Sequence, residues 1–385
     1  MEGRIFSSLL KNLIITAVLG AFALNTQAQV ISAVNYSKPV ITDTATYQKE
    51  APGYVVNNTT TKALALKDAS LQQELQLSIS KPAERRLLME HLREINPSDG
   101  TEANQTHKKF LYNLAGAFAR LKMYSLAMKC FFKSMQYDKK SLPADTLANG
   151  YNAQADTLDI DEPDERYLDF NDKDDTLLND NPALLVSPTA KEPRSPKVSY
   201  TQIADAFNDG KKAAAYAMLI HVKQPVSGKN KVYHFTNSGH TFITLIKYNS
   251  DSTYVSLSFG FYPNKQHPFA GTPLFPSSHS TFRDDGQHKW DEVAGKFISK
   301  RRFQRILALT KNYNGIKYHL SKNNCTDFSL NAALLAGLSI DETTGSWPLG
   351  HGNNPGITGQ SMLHGKIKDG GKAVLDEVFV DDMVE

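Results

Sequence analysis

Cysteine is almost missing from this 385-residue chain. Its two cysteines, Cys130 and Cys325, are too few for a disulfide framework. No C-x-x-C or H-x-x-x-H spacing occurs, so no metal site is expected, and nothing in the pattern calls for a cofactor. The net charge of +3 is close to neutral for this size, and no basic face stands out. That argues against nucleic acid as a partner. The basic run Lys300-Arg301-Arg302 with Arg305 reads as a solvated helix face. Long apolar runs are lacking too. Leu13 to Leu24 falls short of the roughly 20 residues that a membrane-spanning helix needs.

What that short run does resemble is a secretory signal. Arg4 and Lys11 precede it, and small residues follow up to Ala28, a suitable last residue before a cut. Residues 1–28 are therefore expected to be a signal peptide. The mature protein is expected to be exported, periplasmic or outer-membrane-associated or secreted, with no transmembrane span after processing.

The rest of the chain divides by composition. Residues 29–61 are an extended lead-in without periodicity. Residues 62–150 read as a helical module. Pro82 suits the first turn of a helix, and Leu111, Leu114, Ala115, Phe118, Tyr124, Ala127 and Phe131 fall at the spacings of a tetratricopeptide-like hairpin. Cys130 lies on that apolar stripe, where a thiol behaves as a small hydrophobe. Eleven acidic residues fall between Asp156 and Asp180, and four prolines follow. Residues 151–197 are therefore expected to be a solvated linker. Asp169 to Asp175 lacks the glycine and distal glutamate of a calcium loop.

Residues 198–385 read as an α+β domain. Helices are expected over Ile203–Ile220 and Asp291–Asn312. Strands are expected over Val232–Phe235, Thr241–Tyr248 and Thr253–Tyr262, with an irregular loop over 263–288. A Gly-rich stretch, 345–359, has the composition of a loop near a site.

The chemistry centres on Cys325, in Tyr318-His-Leu-Ser-Lys-Asn-Asn-Cys325-Thr-Asp-Phe. Asn323 or Asn324 serves as N-cap, and Asp327 completes an approximate capping box. Cys325 then sits in the first turn of a helix, where backbone N–H groups favour a thiolate. Magnitude shows that this is not enough. Holding the thiolate at neutral pH needs a drop of about 2 units from 8.5, or roughly 2.7 kcal/mol. A helix end supplies about 0.3–1 kcal/mol. A protonated imidazole is the usual second charge. His240, at the start of the run Gly239-His-Thr-Phe-Ile-Thr-Leu, is the candidate base, with His319 and His351 as competitors.

These residues resemble the permuted NlpC/P60 (papain-like, lecithin retinol acyltransferase-like) cysteine hydrolases. Gly239-His240-Thr-Phe-Ile-Thr-Leu, Phe259-Gly-Phe-Tyr-Pro263 and the Cys325 motif carry the likeness, over about 200–365. The resemblance implies a papain-like antiparallel sheet packed on a Cys-bearing helix, with Cys325 as nucleophile and His240 as general base. It also implies a third, orienting side chain on the strand after the histidine strand. Ser258 is the candidate for that role. An amide of the cell envelope, such as a peptidoglycan stem peptide, becomes the expected substrate. A lipid or ester acyl group is the alternative, and so is an inactive domain that binds an envelope component. The helical module is a candidate surface for a protein partner.

Overall fold

Residues 213–223, expected to end a helix, instead form the longest strand of a sheet. The helix starts at Tyr200, three residues before the expected Ile203, with Ser199 and Gln202 forming a capping box, but it stops at Phe207, and Asn208 to Gly210 turn the chain. Met218, Leu219, Ile220 and Val222 are then buried on both faces of the sheet. A continuous apolar run of this kind has no period that separates a central strand from a buried helix.

The computed structural model describes residues 81–95, 101–141, 168–174, 194–234, 237–264, 271–272, 274–347, 350–370 and 378–382. All of them belong to one compact unit, Pro52–Glu385. The expected signal peptide and lead-in lie outside the described residues. The elements used below are α1 (Pro82–Glu94), α2 (Thr101–Arg120), α3 (Tyr124–Ser141), β1 (Lys197–Val198), α4 (Tyr200–Phe207), β2 (Ala213–Lys223), β3 (His240–Asn249) and β4 (Tyr254–Pro263). They continue with β5 (Ser277–Ser278), β6 (Ser280–Asp284), β7 (Glu292–Ile298), α5 (Lys300–Tyr313), β8 (Tyr318–His319), α6 (Cys325–Ala336) and β9 (Leu338–Ile340). The last are β10 (Thr344–Trp347), β11 (Gly350–Asn353), α7 (Pro355–Leu363), β12 (Ile367–Asp369) and β13 (Phe379–Asp382).

The fold is α+β around a 7-stranded sheet of order β1-β6-β4-β3-β2-β7-β13. Every neighbouring pair in it is antiparallel. Side chains alternate across a strand, and the two faces have separate cores. Phe242, Ile246 and Tyr248 of β3 join Leu219, Trp290, Val293 and Phe379 against α1–α3. Ile243 and Leu245 join Met218, Phe259, Phe261 and Ala294 against α4–α6.

Other elements also depart from the sequence reading. Residues 292–298 are strand β7, and the helix begins only after the N-cap Ser299, whose hydroxyl accepts from the Arg302 N–H. The expected loop 263–288 contains β5 and β6, and β6 is a full partner of β4. No strand covers 232–234; His234 instead bridges to Asn237.

Nor do the helices form a module of their own. α2 and α3 make an antiparallel hairpin with Ala115 and Ala127 fully buried, but their outer apolar face lies on the sheet. The Tyr248 hydroxyl donates to the Ser125 carbonyl (2.8 Å), and Trp290 Nε1 donates to the Tyr124 hydroxyl (3.0 Å). Arg120 makes two 3.0 Å bonds to the Asp381 carboxylate. Part of the expected linker is structural as well. Leu168 and Phe170 are buried, and Asp174 forms a buried pair with Lys129 at 3.0 Å. Removing one partner of such a pair costs about 3–5 kcal/mol. Among the described residues, no helix is long and apolar enough to cross a membrane.

Candidate active site

Cys325 is the first residue of α6, and nearby loops hold it there. Asn324 is the N-cap. Its Oδ1 accepts from the N–H groups of Thr326 (2.7 Å) and Asp327 (3.2 Å). Its Nδ2 donates to the carbonyls of Leu320 (2.7 Å) and Asn353 (2.8 Å). Asp327 returns the capping bond by accepting from the Asn324 N–H at 2.8 Å, and it also accepts from Asn353 Nδ2 at 2.7 Å. The Gly-rich stretch thus supplies β11 as a clamp on the first turn, bringing Gly352 so close to Ser321 that a Cβ would meet its carbonyl oxygen at 1.9 Å.

His240 begins β3, as the sequence suggested, and its side chain and that of Cys325 act on each other electrostatically. Gly239 before it has φ +72°, and a Cβ there would lie 2.4 Å from the Lys223 carbonyl. The Thr241 hydroxyl meets that of Thr326 at 3.2 Å, tying the histidine strand to the cysteine helix.

The third residue is Asp285, and the sequence reading missed it. His240 Nε2 lies 3.0 Å from Asp285 Oδ2, which leaves Nδ1 as the ring nitrogen not bonded to the carboxylate. The other carboxylate oxygen accepts from the Tyr262 hydroxyl (2.6 Å) and from Ser195 (3.1 Å). The Asp285 N–H donates to the Ser258 carbonyl at 2.9 Å, so the loop after β6 is stitched to β4. Gly260 leaves the space for this pair, since a Cβ there would meet Asp285 Oδ2 at 2.5 Å and His240 Nε2 at 2.6 Å.

Ser258 is not at the site. The register pairs it with Thr244, and their hydroxyls are 2.7 Å apart. That places it four residues along β3 from His240, roughly 13 Å away at about 3.3 Å per residue. It lines a different cavity, of about 330 Å³, with Lys122, Tyr124 and Ser125. The competing histidines are elsewhere as well. His319 accepts from the Ser321 N–H through Nδ1 (3.2 Å), and exposed His351 faces Ser346. Cys130 is buried in the helical core, where burial raises its thiol well above its usual range.

Electrostatics at the site favour an ion pair. Burial opposes a charge on His240, but the Asp285 charge and hydrogen bond, with Cys325, outweigh it and push the imidazole up to about 10. Burial likewise opposes the Cys325 thiolate. Bonds and charge from His240, then the Thr241 N–H and the Thr326 hydroxyl, bring the thiol below its ordinary value. Tyr318 is a further participant that the sequence reading left without a role. It is buried, and burial first, then the neighbouring Cys325, pushes its phenol well above the usual range.

No family model, curated protein or solved structure matches this chain. The site therefore has to be read from its own chemistry. It holds a cysteine at a helix start, a buried histidine whose charge is favoured, and a carboxylate behind that histidine. Asp285→Asn keeps an acceptor for the ring but removes the charge, so alkylation of Cys325 at pH 6 is expected to fall about 10–100-fold, on a loss of 1–2 pKa units at 1.36 kcal/mol each. Ser258→Ala is expected to leave the rate within about twofold. Iodoacetamide kinetics on the two variants check this, and an equal effect from both would remove Asp285 from its role.

Proposed function

We propose that this protein is an exported cysteine hydrolase of papain-like fold that cleaves an amide of the cell envelope, with a peptidoglycan stem peptide as the leading substrate class. The buried Cys325–His240–Asp285 array carries the reading. Cys325 Sγ attacks the carbonyl carbon as a thiolate. The Cys325 N–H, at the start of α6, stabilises the developing oxyanion. The imidazolium gives its Nδ1 proton to the leaving amine, and the thioester forms as the amide C–N bond breaks. Water then attacks the thioester with His240 as base, which returns the acid and the thiol. Asp285 keeps the ring oriented and favours its protonated state.

The compartment argument for the substrate comes from the apolar run near the start of the sequence. An ester or lipid acyl group is the second reading. The exposed Leu274 and Phe275 favour it, since they precede β5, the strand paired with the Tyr318 strand. The reading as an inactive binding domain loses its main motive, because the orienting position holds a carboxylate.

Mass spectrometry of envelope fragments, incubated with the purified protein, tests the proposal. New amide-cleaved products are expected with the parent protein and none with Cys325→Ser. Products from both proteins, or release of fatty acid instead of amine, would sink the amide reading.

A further inference from the structure

The fold brings together three metal-ligating side chains that no sequence motif joins. One donor atom each from His240, Asp285 and His288 lies within 4.8 Å of the other two. Each ligand's remaining atoms are already engaged. His288 Nδ1 is 2.7 Å from the Lys289 carbonyl, which can only accept, so Nδ1 carries a proton and Nε2 is the nitrogen with which His288 would ligate. Asp285 Oδ1 is held by Tyr262 and Ser195, which turns Oδ2 toward the rings. His240 turns Nε2 toward Asp285 at 3.0 Å, so this nitrogen is the one on the carboxylate side of the ring.

This is the outer-shell pattern of metal-binding histidines and carboxylates, in which a second hydrogen bond fixes tautomer and direction. The backbone adds to it. The His288 N–H donates to the Asp285 carbonyl at 2.9 Å, so Asp285-Gly-Gln-His288 is one turn presenting two ligands on the same side. The two imidazole rings are 4.9 Å apart between centroids. Zinc bonds near 2.0–2.1 Å require tetrahedral donors roughly 3.3–3.5 Å apart. His240 and Asp285 are at 3.0 Å. The half-buried His288 has only a short distance to move, and it gives the ion a route from solvent.

We infer that His240, Asp285 and His288 form an inhibitory site for a first-row divalent cation with zinc-like ligand preference, on the carboxylate side of the His240 ring. Two imidazoles and one carboxylate favour zinc or its neighbours over magnesium and calcium, which prefer all-oxygen shells. Binding of the ion displaces the Nε2 proton of His240. A ring ligated through Nε2 keeps one proton on Nδ1 and stops cycling between imidazolium and imidazole, so the thioester can be neither formed nor hydrolysed at the normal rate. This consequence rests on the hydrolase reading; the binding site does not.

Cobalt(II) added to the intact, metal-stripped protein tests the site directly. One equivalent is expected to give the visible d–d bands of a four-coordinate N/O site, removable by zinc and unaffected by excess magnesium. His288→Ala and, as a gentler change, His288→Gln should weaken binding by more than the roughly 10–100-fold that loss of an outer-shell partner causes. Cys325→Ser should leave the bands in place, with no thiolate-to-cobalt charge-transfer band in the parent. Absence of binding, binding that ignores both His288 variants while they remain folded by circular dichroism, or binding lost with Cys325→Ser would each overturn the inference. Those results leave the hydrolase reading standing, because it is judged by turnover without metal.

Discussion

Replacing His240 with alanine is expected to slow alkylation of Cys325 at pH 6 by up to about 300-fold. The figure follows from the thiolate fraction, since a thiol with a pKa near 8.5 is about 0.3% ionised at pH 6. Burial without the imidazolium would lower that fraction further. The signs run in one direction. Cys325 is lowered, so its thiolate persists below the ordinary thiol range and disappears only as pH falls through the lowered value. His240 is raised to about 10, so its positive charge is present throughout neutral pH and is lost as pH climbs through about 10. The parent protein should therefore keep reacting at pH values where an ordinary thiol has lost most of its thiolate. The His240→Ala profile should rise only near and above pH 8.5. Cys130, buried in the helical core, is the internal control and should remain unmodified while the protein is folded. Mass-resolved iodoacetamide kinetics from pH 5 to pH 10 decide the matter. An unchanged profile in the variant would mean that another group generates the thiolate.

A chain that starts at residue 198 is expected not to fold. It keeps Cys325, His240 and Asp285 but loses α1–α3, which cover one face of the sheet. Leu219, Phe242, Ile246, Tyr248, Trp290, Val293 and Phe379 are all within 4% of full burial in the intact protein and would be uncovered. At about 1.5–3 kcal/mol for each large side chain, the loss is on the order of 10–20 kcal/mol. Whole domains are stable by about 5–15 kcal/mol. The Arg120–Asp381 pair and the two tyrosine hydroxyl bonds across the interface would go as well. Chemical denaturation of the two chains, followed by tryptophan fluorescence, gives the comparison. A cooperative, monomeric fragment with native reactivity at Cys325 would show that the helices are an appendage after all.

The helices also reach toward the site. Tyr124 of α3 packs on His221, which stacks on Phe242 at 9° between planes, and Phe242 stacks under His240 at 14°. An aromatic column thus runs from the helical hairpin to the candidate base. It explains why a division by composition, helices first and chemistry later, does not match the tertiary layout.

Local signals in the sequence carried a large part of this. A capped helix start is readable from four residues, and Asn324 with Asp327 forms the box that their spacing suggested. Gly239 before His240 was legible because a close backbone approach requires a missing side chain. The α2–α3 hairpin was legible from its 3.6-residue period, and the short span of each apolar run argued against a membrane-crossing helix. These are properties of neighbouring residues, and neighbours are what a sequence orders. The tertiary structure decided the rest. Residues 213–223 and 292–298 became strands because the sheet buried both of their faces, and no period distinguishes that case. Asp285, which the sequence reading did not single out, stands where Ser258 was expected because the β3–β4 register and the docking of β6 on β4 are long-range choices, and moving along a strand by four residues moves a side chain by roughly 13 Å. Asp285 and His288 met His240 for the same reason. Charge and hydrogen bonding act over a few ångströms, while the 45 residues between His240 and Asp285 are brought to 3.0 Å only when the whole sheet closes.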